Sequence, residues 1–535
     1  MSELAEPNLR ALLATAGLDV EYVRGEGNTL FRRGEDGGEI PVLDFAGGYG
    51  SLILGHNHPE IVARAQRLLA EQSPVHAQFS SHPYANALAA ELNRIVHRET
   101  GTDEPYYATF ANSGAEAVEA AVKHAEMDRV VRLGAIVADI AEGIDEVRTA
   151  VDAGLATVPD EVFARLGIPR PAAGQDATEG GVDGGAEGAM EAVIAEVTRR
   201  NEERSAEAPV LLALEGGFHG KLMGSVQLTH NAGYRTPFAA LGLRTRFVPR
   251  DAPDVLREIL EQERRPLLRP AVEDGEVRLV ERPHPAFCAF LLEPIQGEGG
   301  IHPLSKEFAR RIQEFGEAAD CPLVVDEVQS GMGRTGALLA SSHLGLRGDY
   351  YALAKSLGGG IAKAAVMLVR EARYQPHFEL VHSSTFAKDS FSCHIALKVL
   401  ELLEADGGRV YRQAVERGAA LETMLGKVRA GYPDVVKDVR GSGLMLGFEF
   451  HDQSGAASEA IGEAARSGLF GYVVAGHLLN AHGIRTFPTA SAVHTLRFEP
   501  SVFLTDEDID RLERALTDVC LILRDQQAHR LAVPA

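Results

Sequence analysis

The sequence runs to 535 residues with 45% hydrophobic and 24% charged side chains and a formal net charge of -23; this is more chain than one hydrophobic core usually supports, so two or more packed lobes are expected. That composition excludes global disorder, and the acidic excess argues against a general binder of nucleic acid or anionic membrane, leaving small molecules as partners. The four cysteines, Cys288, Cys321, Cys393 and Cys520, have neither zinc-site spacing nor disulfide-scaffold density; with no visible export signal and no apolar run of about 18 residues, reduced thiols in a cytoplasm, no membrane span and no metal site are expected.

The N-terminal 75 residues carry strand-like Thr29–Arg32 and Val42–Phe45 and a turn-rich Gly-Gly-Tyr49-Gly, and are expected to join a smaller lobe. From about Met127 to Ala208 the chain is helical at both ends around a Gly/Ala/Asp/Glu-rich middle at Pro171–Gly188, the pattern of a solvated, partly disordered acidic insertion. Short apolar runs at Val210–Leu214, Phe287–Leu292 and Leu323–Val325 alternate with helical-period segments, which predicts a mainly parallel sheet covered on both faces. After Ser392 come helices through Ile395–Leu403 and Ala414–Leu425, strands at Leu444–Phe450 and Thr495–Phe498, and an amphipathic helix from about Asp506 to Leu523. The fold class expected is therefore α/β: a large lobe over residues 76–391 with the insertion at about 127–208, and a smaller α+β lobe from residues 1–75 and 392–535.

Each apolar run ends in residues of chemical interest. Glu215-Gly-Gly-Phe218-His219 follows the first, Glu293-Pro the second and Asp326-Glu327 the third, and ligands gather at the carboxyl ends of strands in open α/β sheets. Lys355 lies among small and apolar residues in Tyr-Tyr-Ala-Leu-Ala-Lys355-Ser-Leu-Gly-Gly-Gly, where its amine loses a proton more readily and becomes able to form a Schiff base with an aldehyde. Read alone, it is first a surface Lys beside a Gly-rich turn. Asp326 suits the carboxylate that pyridoxal 5′-phosphate (PLP) needs to keep its pyridine nitrogen protonated; alone, it reads first as a turn cap.

Taken together, Asp326-Glu-Val328-Gln329-Ser-Gly-Met-Gly-Arg334 and Lys355 with its Gly-rich tail resemble the signature of class III, fold-type I aminotransferases, the family of ornithine, acetylornithine, 4-aminobutyrate and putrescine aminotransferases. The resemblance runs in order from Leu43-Asp-Phe through Gly55-His-Asn-His-Pro59 to Leu496-Arg-Phe-Glu-Pro500. It implies PLP as cofactor, with Lys355 and Asp326 catalytic. Asn112-Ser113-Gly114-Ala115 resembles the phosphate-binding turn, a helix N-terminus suited to a dianion. Phe218 resembles the aromatic that stacks on the pyridine ring, with a structural role for His219; Val328 would pack against the ring and Gln329 bond its oxygen. Thr385 resembles the residue that reaches the phosphate in a neighbouring subunit, which implies a homodimer.

For substrates, Arg497 resembles the family's Arg for the acceptor's α-carboxylate, with Glu293 matching the Glu that masks it in the other half-reaction. Tyr49 matches a substrate-placing residue. Lys221 stands where ornithine-type enzymes carry a second Arg, so the reading is a ping-pong aminotransferase taking a terminal-amine or ω-amino donor. Alternatives on the same scaffold are a decarboxylating transaminase, an aminomutase or an epimerase. The sequence departs from the family at Gly360-Ile-Ala362-Lys363, which lacks a usual Pro, and at Ala387-Lys388-Asp389 after Thr385-Phe, where Gly-Gly-Asn is usual.

Overall fold

The structure, a computed structural model, describes residues 4–34, 36–77, 79–171 and 185–531. At its centre is a seven-stranded sheet whose strands in chain order are β1 (Tyr106–Ala111), β2 (Val210–Leu214), β3 (Thr245–Val248), β4 (Phe287–Leu292), β5 (Leu323–Asp326), β6 (Tyr350–Leu353) and β7 (Ala365–Arg370). They lie side by side as β1-β7-β6-β5-β4-β2-β3. Only β7 runs against its neighbours in this sheet.

The uninterrupted apolar runs follow from burial on both faces. Leu211 and Ala213 of β2 and Ala289 and Leu291 of β4 point to one face, where they meet Ala117, Val118 and Ala121 of helix Gly114–Asp152. Leu212, Leu214, Phe290 and Leu292 point to the other, in a core shared with Leu92 and Ile95 of helix Pro83–Thr100, Ile312 and Phe315 of helix Lys306–Ala319, and Val399 and Leu403 of helix Ser390–Gly431. That last helix breaks at Ala405–Gly408, where Gly407 and Gly408 take positive φ. The break separates the two helical runs seen in the sequence.

The smaller lobe draws on both ends of the chain. Strands Tyr22–Glu26, Thr29–Arg33 and Glu39–Asp44 form an antiparallel set, and Ile484–Arg485 adds to it in parallel beside Leu43 and Asp44. A second sheet holds Val436–Ser442, Met445–Phe450, Thr495–Phe498 and Phe487–Pro488.

The insertion at about 127–208 is helical at both ends, as expected, and these helices also carry a packed core that the expectation of a solvated segment did not include. Helix Gly114–Asp152 continues through 39 residues, and Asp160–Leu166 and Ala186–Ser205 are helical too. Val147, Val151, Phe163, Met190, Val193 and Val197 pack into a core of their own with Val277 and Leu279. The latter two come from a hairpin, Leu267–Glu273 with Glu276–Arg282, that the sequence reading missed. Apolar residues four apart, Val147 with Val151 and Val193 with Val197, form helix stripes that the hairpin covers. Most of the Gly-rich middle, at 172–184, lies outside the described residues.

Candidate active site

The carboxyl ends of the sheet strands converge on a cavity of about 550 Å³ lined by Ser113, Gly114, Ala115, Phe218, His219, Glu293, Glu298, Asp326, Val328, Gln329 and Lys355. Asp326 ends β5 opposite Ala352 of β6, and Lys355 follows β6 within two residues. Lys355 has φ of 51°, a left-handed backbone that costs energy outside glycine and that clusters at functional sites. Burial lowers its amine below the ordinary lysine range despite the nearby carboxylates of Glu499 and Glu298.

Asp326 is held from two sides. Its Oδ1 accepts the Val328 N–H at 3.1 Å, and its Oδ2 lies 2.9 Å from Nδ1 of His219. Burial works to lower the His219 imidazole, but the Asp326 carboxylate outweighs it and raises the ring above its usual range. The ring is packed in the wall, and its Nε2 is buried without a hydrogen-bond partner. His219 therefore orients Asp326.

Ser113 caps helix Gly114–Asp152, its Oγ accepting the Glu116 N–H at 3.3 Å. First-turn amides have no intrahelical acceptor, so Gly114 and Ala115 offer N–H groups to an anion at the positive end of a 39-residue helix. Glycine keeps this corner tight: a Cβ on Gly220, whose φ is +112°, would stand 2.6 Å from that of Ala115, and one on Gly114 2.6 Å from Val328 Cγ1. A phosphate end, a flat wall at Phe218 and Val328, a carboxylate at Asp326 and an amine at Lys355 together match the donor set PLP requires.

The residues expected to meet substrate differ from expectation at one carboxylate. Arg497 is paired with Glu298, not Glu293: Nη1 donates to Glu298 Oε1 at 2.7 Å and Nη2 to Oε2. Burial acts to raise the Glu298 carboxyl, but the guanidinium prevails and holds it at about 2. Glu293 instead accepts the N–H of Phe218 at 2.9 Å and of Gly297 at 3.0 Å, and burial pushes its carboxyl up to about 7. The physical reason is local. Glu293 directly follows β4 and stays inside the wall, while Ile295–Gln296 and His302–Pro303 pair as a small hairpin that carries Glu298 on its connection.

Glu499 was also missed. It is fully buried and receives Gln329 Nε2 at 3.0 Å on each oxygen, so the amide N–H₂ of Gln329 is engaged with the wall. Tyr49 stacks on Phe487 with centroids 5.7 Å apart, and the Arg497 guanidinium lies 5.0 Å from the Tyr49 ring centroid. Lys221 does not line the cavity; its Nζ sits 4.0 Å from the ring centroid of Tyr234. Thr385 is exposed and likewise outside the cavity lining.

Comparison with known proteins follows the same lines. The sequence model of the family described as aminotransferase class-III matches residues 14–138 and 173–520. An ornithine aminotransferase from Toxoplasma gondii is 20% identical, with a TM-score of 0.64 over 95% of this chain and 92% of that one. A transaminase from the marine bacterium Virgibacillus is 17% identical, with a TM-score of 0.67 over 98% and 97%. The ornithine δ-aminotransferase of Plasmodium falciparum is 20% identical, with a TM-score of 0.60 over 95% and 94%.

Proposed function

From the premise that the chain belongs to the class-III aminotransferase family, and so is a PLP-dependent amino-transferring enzyme, we propose that it takes the amino group of a terminal-amine or ω-amino donor and passes it to a carbonyl acceptor in a ping-pong cycle. Ser113, Gly114 and Ala115 would hold the phosphate of PLP, Phe218 and Val328 its faces, Asp326 its pyridine nitrogen and Lys355 its aldehyde carbon. When bound, PLP supplies an electron sink for the carbanion left by C–H cleavage.

The chain's own groups supply the rest. Lys355 Nζ, which burial holds toward the neutral form, takes the proton from the amine-bearing carbon of the donor. Asp326, fixed by His219 and the Val328 amide, keeps its negative charge aimed at one point in the cavity. Arg497 grips the carboxylate of the acceptor in bidentate geometry, and Glu298 takes its place on Arg497 when the amine donor is bound.

The observation that carries this reading is the bidentate Arg497–Glu298 pair, in which Arg497 stands behind Glu298, a lining residue of the cavity that holds Lys355. It supports a fork that is capped for one partner and uncapped for the other. Lys221, held over Tyr234, and Arg485, bonded to Asp44 at 2.9 Å, are engaged elsewhere, which favours a donor not held by a carboxylate of its own. Arg497→Ala should slow the half-reaction with the carboxylate partner and spare the one with a simple amine, each read by single-turnover absorption spectra. Equal loss in both would mean that the pair is a permanent structural one.

We further propose a cytoplasmic homodimer. Its support is Thr385, exposed beside a second cavity of about 650 Å³ that runs along the sheet-edge strand β1 and is lined by Ser383, Ser384 and Lys388. The buried, unpaired cysteines fit a reducing compartment, and among the described residues no helix is long and apolar enough to cross a membrane.

A further inference from the structure

Away from the cavity, three side chains of metal-ligating type converge in the smaller lobe. His477 and His482 sit on helix Phe470–His482, and Asp518 on helix Asp506–Arg524. Nε2 of His477 is 3.1 Å, and Nε2 of His482 3.0 Å, from the same Oδ2 of Asp518. All three candidate ligand atoms lie within 4.8 Å of one another. Around tetrahedral zinc, with bonds of roughly 2.0–2.1 Å, neighbouring ligand atoms stand about 3.3 Å apart, so the two His–Asp separations need to open by only a few tenths of an ångström, with the imidazole nitrogens, within 4.8 Å of each other, adjusting by rotation of the rings.

The surroundings suit a bound cation better than a sealed hydrogen-bond cluster. The His477 side chain is 7% exposed and forms the floor, while His482 and Asp518, at 24% and 22%, leave a rim open to water. That rim gives the ion a path in and a water as fourth ligand. The main chain of Arg530 hydrogen-bonds the His477 ring, the kind of outer contact that orients a ligating imidazole. Arg530 also places its guanidinium on Oδ1 of Asp518. This charge works against a cation but leaves Oδ2, the oxygen both imidazoles face, for the metal.

We propose that His477, His482 and Asp518 form a site for a divalent transition metal of the zinc class, one that staples two helices of the smaller lobe. His482 is followed by strand Ile484–Arg485, which pairs with Leu43 and Asp44 just before the Gly47–Gly50 turn that carries Tyr49. The ion would thereby fasten helix Asp506–Arg524 to the layer that leads to Tyr49. His477 and His482 are separated by four residues, within the three-to-five-residue spacing common for paired zinc-ligating histidines, and Asp518 is joined to them only by the fold.

The test uses the full-length PLP-loaded protein, freed of metal with a chelator and titrated with Zn²⁺ by calorimetry and with Co²⁺ by visible absorption. The wild type should bind one equivalent that His482→Gln and Asp518→Asn weaken at least about tenfold. Zn²⁺ should raise its Tm without raising theirs. Asp518→Asn, which keeps the side-chain shape, serves alone if His482→Gln loses amino-transfer activity through misfolding. A wild type that binds no equivalent, or titrations that superimpose for wild type and variants, would reduce the trio to a hydrogen-bond network.

Discussion

Nδ1 of His219 lies 2.9 Å from Oδ2 of Asp326, with both side chains buried in the wall of the cavity. The imidazole and the Val328 amide each hold one oxygen of that carboxylate. A hydrogen bond to a charged group is commonly worth about 1.5–3 kcal/mol, so His219→Ala should lower kcat roughly 10- to 100-fold and weaken PLP binding. His219→Asn, which restores a donor, should recover part of both. An unchanged rate and cofactor affinity in His219→Ala would show that the Val328 amide alone suffices.

Asp326→Asn removes the charge while keeping a similar shape. Stabilisation of developing charge of this kind is worth several kcal/mol, so the rate should fall by roughly two orders of magnitude or more. The fall should appear in single-turnover spectra of both half-reactions, because both depend on the same electron sink. A loss confined to one half-reaction would assign Asp326 to a substrate instead.

Glu298→Gln should leave Arg497 uncapped in charge, slowing the half-reaction with an amine donor while sparing the carboxylate partner. It also has a pH signature. The folded carboxyl is depressed from 4.5 to about 2, so the stability it contributes is present above pH 4.5 and is lost as pH falls toward 2. The Tm difference between wild type and Glu298→Gln should therefore shrink across that window. A constant difference would mean that Arg497 does not hold the carboxylate down.

Phe163 is buried at the centre of the insertion's own core. Phe163→Ala should cost about 3–5 kcal/mol locally, opening helices Asp160–Leu166 and Ala186–Ser205 to proteolysis while amino transfer in the main cavity persists. Protease resistance equal to wild type would show that Phe163 does not hold these helices together.

What the sequence disclosed depended on how local each signal is. The runs Val210–Leu214 and Phe287–Leu292 were legible because burial on both faces leaves an uninterrupted apolar stretch, and Asp326 and Lys355 stand out because each follows such a stretch. The partner of Arg497 was not legible. Glu293 and Glu298 share one short block, and which of them turns toward the guanidinium depends on the hairpin of Ile295–Gln296 with His302–Pro303, a fact of tertiary packing. The insertion's core was hidden for a related reason: its helix stripes are covered by Val277 and Leu279, a hairpin far along the chain. Helices flanking an acidic, Gly-rich stretch read as solvated when that cover is out of view.

The central claim is that Lys355 carries the cofactor. Borohydride reduction of the PLP-loaded protein, followed by peptide mapping by mass spectrometry, tests it most directly, with Lys355→Ala as control. The account predicts the reduced cofactor on the peptide containing Lys355, bleaching of the visible band, and neither label nor turnover in Lys355→Ala. Label on another lysine, such as Lys221 or Lys363, with turnover retained in Lys355→Ala would contradict it.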